Sequence, residues 1–403
     1  MSKSILFVLC LAATSAFAQA QTDTAALRQK AIALAHRLPM FDGHIDLPWR
    51  LYEKMEDVSV RTKGGNFDYE RAKIGGLSAP FMSIYVPSSF QKKAPNAAKL
   101  MADTLIDIVE GLVKKNPEKF ALAFRSKDVA ENFKKGLISF PMGMENGAPI
   151  GDDLKNVEYF QKRGVRYITL THAEDNLICG TSYSLNNKWN GLSAFGKQVV
   201  EEMNRVGIII DVAHVSDKTI EQVLEISRAP VIASHSSCRV FTPRFMRNLP
   251  DDLIKKIAKG GGVVQINFGT MFLDSTVSDY FLARRQAMLD WSTANKIASG
   301  DPSYVAYEKE WNKMHVAPKV PFERIADHID HVRQLVGIEH VGLGSDFDGV
   351  GESLPVGMTD VSMYPNLIFE LLKRGYSEHD IERICYRNTL RVWQKVEKVS
   401  GNQ

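Results

Sequence analysis

Short apolar runs alternate with amphipathic stretches along most of this chain. The apolar runs predict strands at Met40–Asp46, Pro80–Val86, Phe120–Phe124, Leu137–Glu145, Arg166–Thr171, Ile208–Ala213, Pro230–Ser234, Gly262–Asn267 and His340–Asp346. Several, such as GIIIDVA at 207–213 and GVVQINF at 262–268, show no apolar–polar alternation. Such runs suit strands covered on both faces, as in a parallel sheet. Between them, 3.6-residue periodicity predicts helices at Ala97–Lys114, Leu154–Arg163, Ser193–Arg205, Asp217–Ser227, Asp251–Lys259 and Phe322–Val336. Strand–helix alternation predicts an α/β fold, and this many units predicts a (β/α)8 TIM-like barrel. Nine candidate strands compete for eight places, so one is an extra or a misreading.

Two stretches break the alternation. Asp274–Pro318 is long, polar and rich in helix formers (LARRQAMLDW, YEKEWNKM), which predicts a helical insertion between two strands. The tail, Asp360 to Val396, predicts two closing helices, with Ser377 and Asp380 spaced like a capping box.

Composition narrows the class only a little. The chain has 403 residues, 44% hydrophobic and 24% charged, which is ordinary for a globular protein. A net charge of +3, from 50 basic and 47 acidic residues, does not point to nucleic acid. The N-terminus is more informative. Lys3, the apolar run Ile5–Ala13 and the small-x-small triplet Ala16-Phe17-Ala18 read as a signal peptide over 1–18. That run is well short of the ~20 residues a membrane span needs. The expectation is export to the periplasm or the outside, with 19–403 as one barrel domain. A lipoprotein reading through Cys10 is weak, because Leu9 precedes it. Cleavage would leave Cys179, Cys238 and Cys385, an odd number without CxxC spacing. That argues against a cysteine-built zinc or redox site.

The candidate chemistry gathers where apolar runs end. His44 and Asp46 stand two apart, so a strand projects both to one face. Glu145 follows the run LISFPMGM, and a carboxylate ending a buried strand is costly unless paired or metal-bound. His172 follows YITLT, His214 follows IIIDVA and His235 follows PVIAS. Asp346 follows HVGLGS, with Asp348 two residues on and glycines 342, 344 and 349 around them allowing close approach. One such residue reads as a structural histidine or a turn acid. Together they form a constellation at the C-terminal rim of a barrel, where active sites lie. Five nitrogen and oxygen ligands, His44, Asp46, Glu145, His214 and His235, suit two zinc ions with open positions for water. Two such ions can share a hydroxide and polarise a carbonyl. No phosphate loop, serine elbow or cysteine nucleophile competes. His328 and His331, one turn apart on an amphipathic stretch, read as surface residues.

At these residues the chain resembles the membrane (renal) dipeptidase family of zinc metallopeptidases, family M19. The carrying segments are FDGHIDLPWRL, MEN after a strand, TLTHAEDN, DVAHVSD, VIASHSSCR, GLGSDFDGV, and TDVSMYPNLIFELLKRGYSE with RNTLRVW. They occur in the family's order from about residue 40 to 396. The resemblance implies a distorted (β/α)8 barrel of the metal-dependent hydrolase type. In it, His44 and Asp46 hold one zinc, His214 and His235 the other, and Glu145 bridges. It implies that His172 contacts the substrate carbonyl, Asp346 hands a proton to the leaving amine, and Arg247 grips the substrate's C-terminal carboxylate. Trp49 would line the pocket. A small peptide substrate, tolerance of a C-terminal D-residue and a homodimer are further implications. Two departures stand out. Asn146-Gly147 follows Glu145 where the family often has Gly-Gly. The stretch from His235 to Arg247 is one residue longer, which keeps Arg239 and Arg244 as competing candidates. Two other functions stay open: an amidohydrolase of cyclic amides or lactones, and a tailoring enzyme acting on a secondary metabolite.

Overall fold

Eight of the nine apolar runs contribute to one parallel eight-stranded sheet. The structure, a computed structural model, describes residues 24–184, 188–298 and 300–401; the expected signal peptide lies outside them. In barrel order the strands are β1 (Phe41–Ile45), β2 (Ala79–Tyr85), β3 (Met142–Glu145) and β4 (Val165–Thr169). They continue with β5 (Ile209–Asp211), β6 (Ile232–Ala233), β7 (Val263–Ile266) and β8 (Val341–Leu343). The sheet curls until its first strand meets the segment after its last. There Asp346 donates its backbone N–H to His44 (3.0 Å) and Asp46 donates to Phe347 (2.9 Å). Seven of these strands are buried along their whole length, their polar residues Asp42, His44, Arg166 and Asp211 included, and β2 is buried up to its last residue.

The ninth run is the extra. Phe120–Leu122 pairs with Ile138–Phe140 in a separate two-stranded sheet. The run expected as one strand over 137–145 therefore divides at Pro141, and only Met142–Glu145 joins the barrel. Proline has no N–H to give a ladder, so it marks the change of partner.

The expected helices form close to the expected bounds, and local chemistry shows why. Ala194–Val206 starts where the Ser193 side chain accepts the Gly196 N–H. It ends where Gly207 turns left-handed at φ 82°, a conformation glycine adopts without strain. Its inner face is Val199, Val200, Met203 and Val206. Burying each such side chain contributes roughly 1.5–3 kcal/mol. Ser377 and Asp380 do form a reciprocal capping box. Helices at 24–37, Leu47–Glu53 and Tyr69–Gly75 went unforeseen; the last two span barely two turns, too few to show a period. Phe41, Phe81, Tyr386 and Trp393 pack together and plug the barrel, with Trp393 supplied by the helix Asn388–Ser400.

Between β7 and β8 stand the helices Ser275–Asn295 and Pro302–Met314. The first is rooted at its start, where Asp274 caps the Thr276 N–H and accepts from Arg324 Nε (3.1 Å). No helix among the described residues is long and apolar enough to cross a membrane.

One expectation needs correction. His328 is not on the surface; it is fully buried. It falls in phase with Ile325, Ile329 and Val332, on the face of Glu323–Val336 that meets the barrel. Its Nδ1 accepts the Cys238 N–H (3.0 Å), so Nε2 carries the proton and donates to the Leu273 carbonyl (3.1 Å). His331 is half-buried and paired with Asp251 (2.8 Å).

Candidate active site

Every barrel strand but β2 and β7 delivers one of the foreseen side chains to the same rim. His44 lies in β1 with Asp46 just beyond it, and Glu145 ends β3. His172, His214, His235 and Asp346 follow β4, β5, β6 and β8 within three residues. Three overlapping sets of ligand atoms each fall within 4.8 Å: His44, Glu145 and His235; Glu145, His172 and His214; His44, Asp46 and Asp346.

Glu145 sits at the centre. Its Oε1 lies 2.9 Å from His214 Nε2, 3.3 Å from His235 Nε2 and 3.7 Å from His172 Nε2. Its Oε2 lies 3.4 Å from His44 Nε2, which is itself 3.3 Å from Asp46 Oδ2. One carboxylate thus faces two groups of ligands with its two oxygens.

The donor set fits a cation. His214 Nε2 and His235 Nε2 stand 2.9 Å apart, two ring nitrogens converging on one carboxylate oxygen. His44 Nε2 and Asp46 Oδ1 are buried without a hydrogen-bond partner among the described residues. Buried polar atoms of native proteins normally have partners, so a ring nitrogen left bare among carboxylates marks a place for a positive ion. The far nitrogens of His44 and His235 are held, as is usual for metal-binding histidines, while His214 Nδ1 has no partner among the described residues. His44 Nδ1 meets the Tyr167 hydroxyl at 2.7 Å, and His235 Nδ1 meets Ser234 Oγ at 2.6 Å. Ser234 Oγ donates in turn to Asp211 (2.7 Å). Burial holds the His214 and His235 rings well below the usual histidine range, in the neutral form that binds metals.

Backbone geometry re-aims two of these groups. His214 and Asp346 take left-handed φ values of 69° and 63°, which strain any residue but glycine and cluster at functional sites. A Cβ on Gly349 would lie 2.2 Å from Asp46 Oδ2 and 2.4 Å from Asp346 Oδ1, so only glycine lets the chain pass these carboxylates. Asp346 accepts from the Asn267 side chain (2.7 Å). Burial, with Asp46 and Glu145 nearby, pushes its carboxyl up to about 7. Asp348 turns away, to Arg50 and the Asn66 N–H.

His172 borders the cavity with its ring edge-on to Tyr85, and Tyr85 meets Trp49. Trp49 lines the same cavity. Of the three arginine candidates, Arg239 is held by Asp217 through both terminal nitrogens and Arg244 by Asp279. Arg247 is the one beside the metal cluster. It is buried and donates to Ser236 Oγ (2.6 Å) and the His235 carbonyl (3.0 Å).

Sequence reasoning did not find Tyr167, Ser234, Asp211 or Asn267, nor Tyr183, which lines the cavity. Only Asp211, three residues before His214, carried a local signal, as a charge inside an otherwise apolar run.

Comparison with known proteins agrees with this geometry. The sequence pattern of the family described as membrane dipeptidase, peptidase family M19, matches residues 28–403. Dipeptidase verJ of Clonostachys rogersoniana is 34% identical over 92% of this chain and 87% of its own. Dipeptidase 3 of Mus musculus is 32% identical over 93% of this chain and 67% of its own. The crystal structure of the probable dipeptidase PvdM from Pseudomonas aeruginosa superimposes with a TM-score of 0.82 at 29% identity, covering 93% of this chain and 99% of that one. A barrel rim with a metal-binding cluster of histidines and carboxylates, on a chain matched over nearly its whole length, places this protein in the membrane dipeptidase family M19, as a metallo-dipeptidase that hydrolyses peptide bonds.

Proposed function

We propose that this metallo-dipeptidase works with two zinc ions and cleaves free dipeptides, including those ending in a D-residue. The observation that carries the two-ion reading is Glu145, with Oε1 turned to His214 and His235 and Oε2 turned to His44. His44 and Asp46 would hold one ion, His214 and His235 the other, and Glu145 both. Ions bound there supply a water of lowered pKa and polarise the scissile carbonyl.

The remaining work falls to the chain. His172, facing the cavity beside Glu145, donates its ring N–H to the carbonyl oxygen as negative charge grows there. Stabilising that charge is usually the largest catalytic contribution. Asp346, oriented by Asn267, carries the proton to the leaving amine. Arg247, preset by Ser236 and the His235 carbonyl, takes the substrate's C-terminal carboxylate, a role its planar fork suits. The reading includes export, supported by the leader-like composition of residues 1–18. The homodimer and the D-residue tolerance rest on the family resemblance.

A substrate panel tests this: a linear dipeptide, its C-terminal amide, a cyclic dipeptide and a lactone. Loss of the charge-assisted bonds to Arg247 should slow the amide roughly 10–100-fold. The cyclic compounds should be inert, and a chelator should abolish turnover. Faster cleavage of the cyclic amide or the lactone overturns the dipeptide reading.

A further inference from the structure

The cavity over the metal cluster has a volume of about 1050 Å³. Sites for drug-sized ligands span roughly 300–1,000 Å³, so a two-residue substrate leaves much of this one empty. Its walls include Glu145, His172 and His214 of the metal cluster and side chains of the helix Ser275–Asn295.

Those side chains are Val277, Tyr280, Phe281 and Arg284. Their spacing is i, i+3, i+4 and i+7, which puts them on one helical face. Only Val277, Ser278 and Met288 of this helix are buried. Val277 anchors the face in the core and Phe281 packs against that core, while Tyr280, Phe281 and Arg284 stay half-buried along the cavity. It is also fixed in place. The Tyr280 hydroxyl donates to the His315 carbonyl (3.1 Å), and its ring packs on Trp311 (centroids 5.3 Å). Arg284 donates to Asn312 (3.0 Å) and Glu308 (2.5 Å), so its charge is neutralised within the wall. A wall held this way needs little reordering to receive a ligand, which is what preorganisation contributes to affinity.

We propose that this face is an extended subsite for a bulky apolar or aromatic group on the N-terminal residue of the substrate. The proposal rests on the dipeptidase reading and on carboxylate capture by Arg247, which leaves the rest of the cavity to the N-terminal residue. The natural substrate class is then a dipeptide unit bearing a large hydrophobic side chain or conjugate, and not the smallest dipeptides.

The test compares kcat/KM for 2-naphthylalanyl-alanine and alanyl-alanine in the zinc-loaded wild type and in Phe281→Ala and Tyr280→Ala. The ratio within one preparation cancels any loss of folded protein. The wild type should prefer the bulky substrate about tenfold or more, the scale on which a hydrophobic pocket discriminates. Each variant should lower that ratio about tenfold, chiefly through KM. A wild type without preference, or variants whose ratio matches the wild type, overturns the subsite while leaving the dipeptidase reading in place. A wild type that cleaves neither compound overturns both.

Discussion

Tyr167→Phe is the substitution that most sharply separates a metal-holding frame from a merely packed barrel. The Tyr167 hydroxyl donates to the Gly43 carbonyl (3.1 Å) and meets His44 Nδ1 (2.7 Å). With the oxygen gone, a buried ring nitrogen and a buried carbonyl lose their partner at once. Each unsatisfied buried group costs about 1–3 kcal/mol, so thermal stability should drop. Phenylalanine keeps the ring volume against Phe81 (5.2 Å), and the fold should survive. The diagnostic effect is on the metal. A ligand histidine whose far nitrogen is released typically loses 10–100-fold in metal affinity, or about 1.4–2.8 kcal/mol. Competition with a chromogenic chelator reads this directly, and the weaker of two zinc steps should move. Unchanged affinities for both zinc ions would refute the claim that Tyr167 orients His44 as a ligand.

Three further predictions follow from other contacts. Glu145→Gln should bind fewer than two zinc ions and lose turnover while keeping its far-ultraviolet dichroism; wild-type turnover would remove Glu145 from the centre of the site. Gly143→Ala would place a Cβ 1.9 Å from Tyr167 Cζ, and overpacking of this kind costs about 1–3 kcal/mol or more. A lower melting temperature together with weaker zinc binding is expected, and a variant with wild-type values in both contradicts the packing. His328 gives a pH dependence. Burial holds its ring down to about 4, whereas the unfolded chain takes a proton near 6.5. Its contribution is complete above pH ~6.5 and is lost as pH falls toward 4, about 3 kcal/mol in all. The urea midpoint of His328→Asn should therefore fall less between pH 7 and 4.5 than that of the wild type; equal falls would refute the assignment.

Much of the barrel was legible because burial on both faces leaves a plain mark, an apolar run that stops at a polar residue. Glu145, His172, His214, His235 and Asp346 all stand at such stops, with His44 and Asp46 around the end of β1, and the sheet brings them together. What the sequence hid was long-range. Tyr167 reads as one more core aromatic of β4; its role depends on His44, 123 residues earlier. Ser234 and Asn267 have no local pattern, since their partners sit on neighbouring strands. The strand expected over 137–145 ran straight through Pro141, and the run did not show that Ile138–Phe140 would leave the barrel to pair with Phe120–Leu122. His328 was misjudged because a polar residue on an amphipathic helix counts as outward, although its ring satisfies two backbone groups inside. The cavity wall of Val277, Tyr280, Phe281 and Arg284 was invisible as a site, because nothing in the helix itself says what it faces.

The central claim is that Glu145 stands between two metal ions that serve peptide hydrolysis. The most direct test is elemental analysis of the purified protein while turnover of a linear dipeptide is followed through stepwise chelation and zinc return. The account predicts about two zinc per chain, loss of turnover as they leave, and recovery as they are restored. A metal-free protein with full turnover, or one that binds a single ion with full turnover, would contradict it.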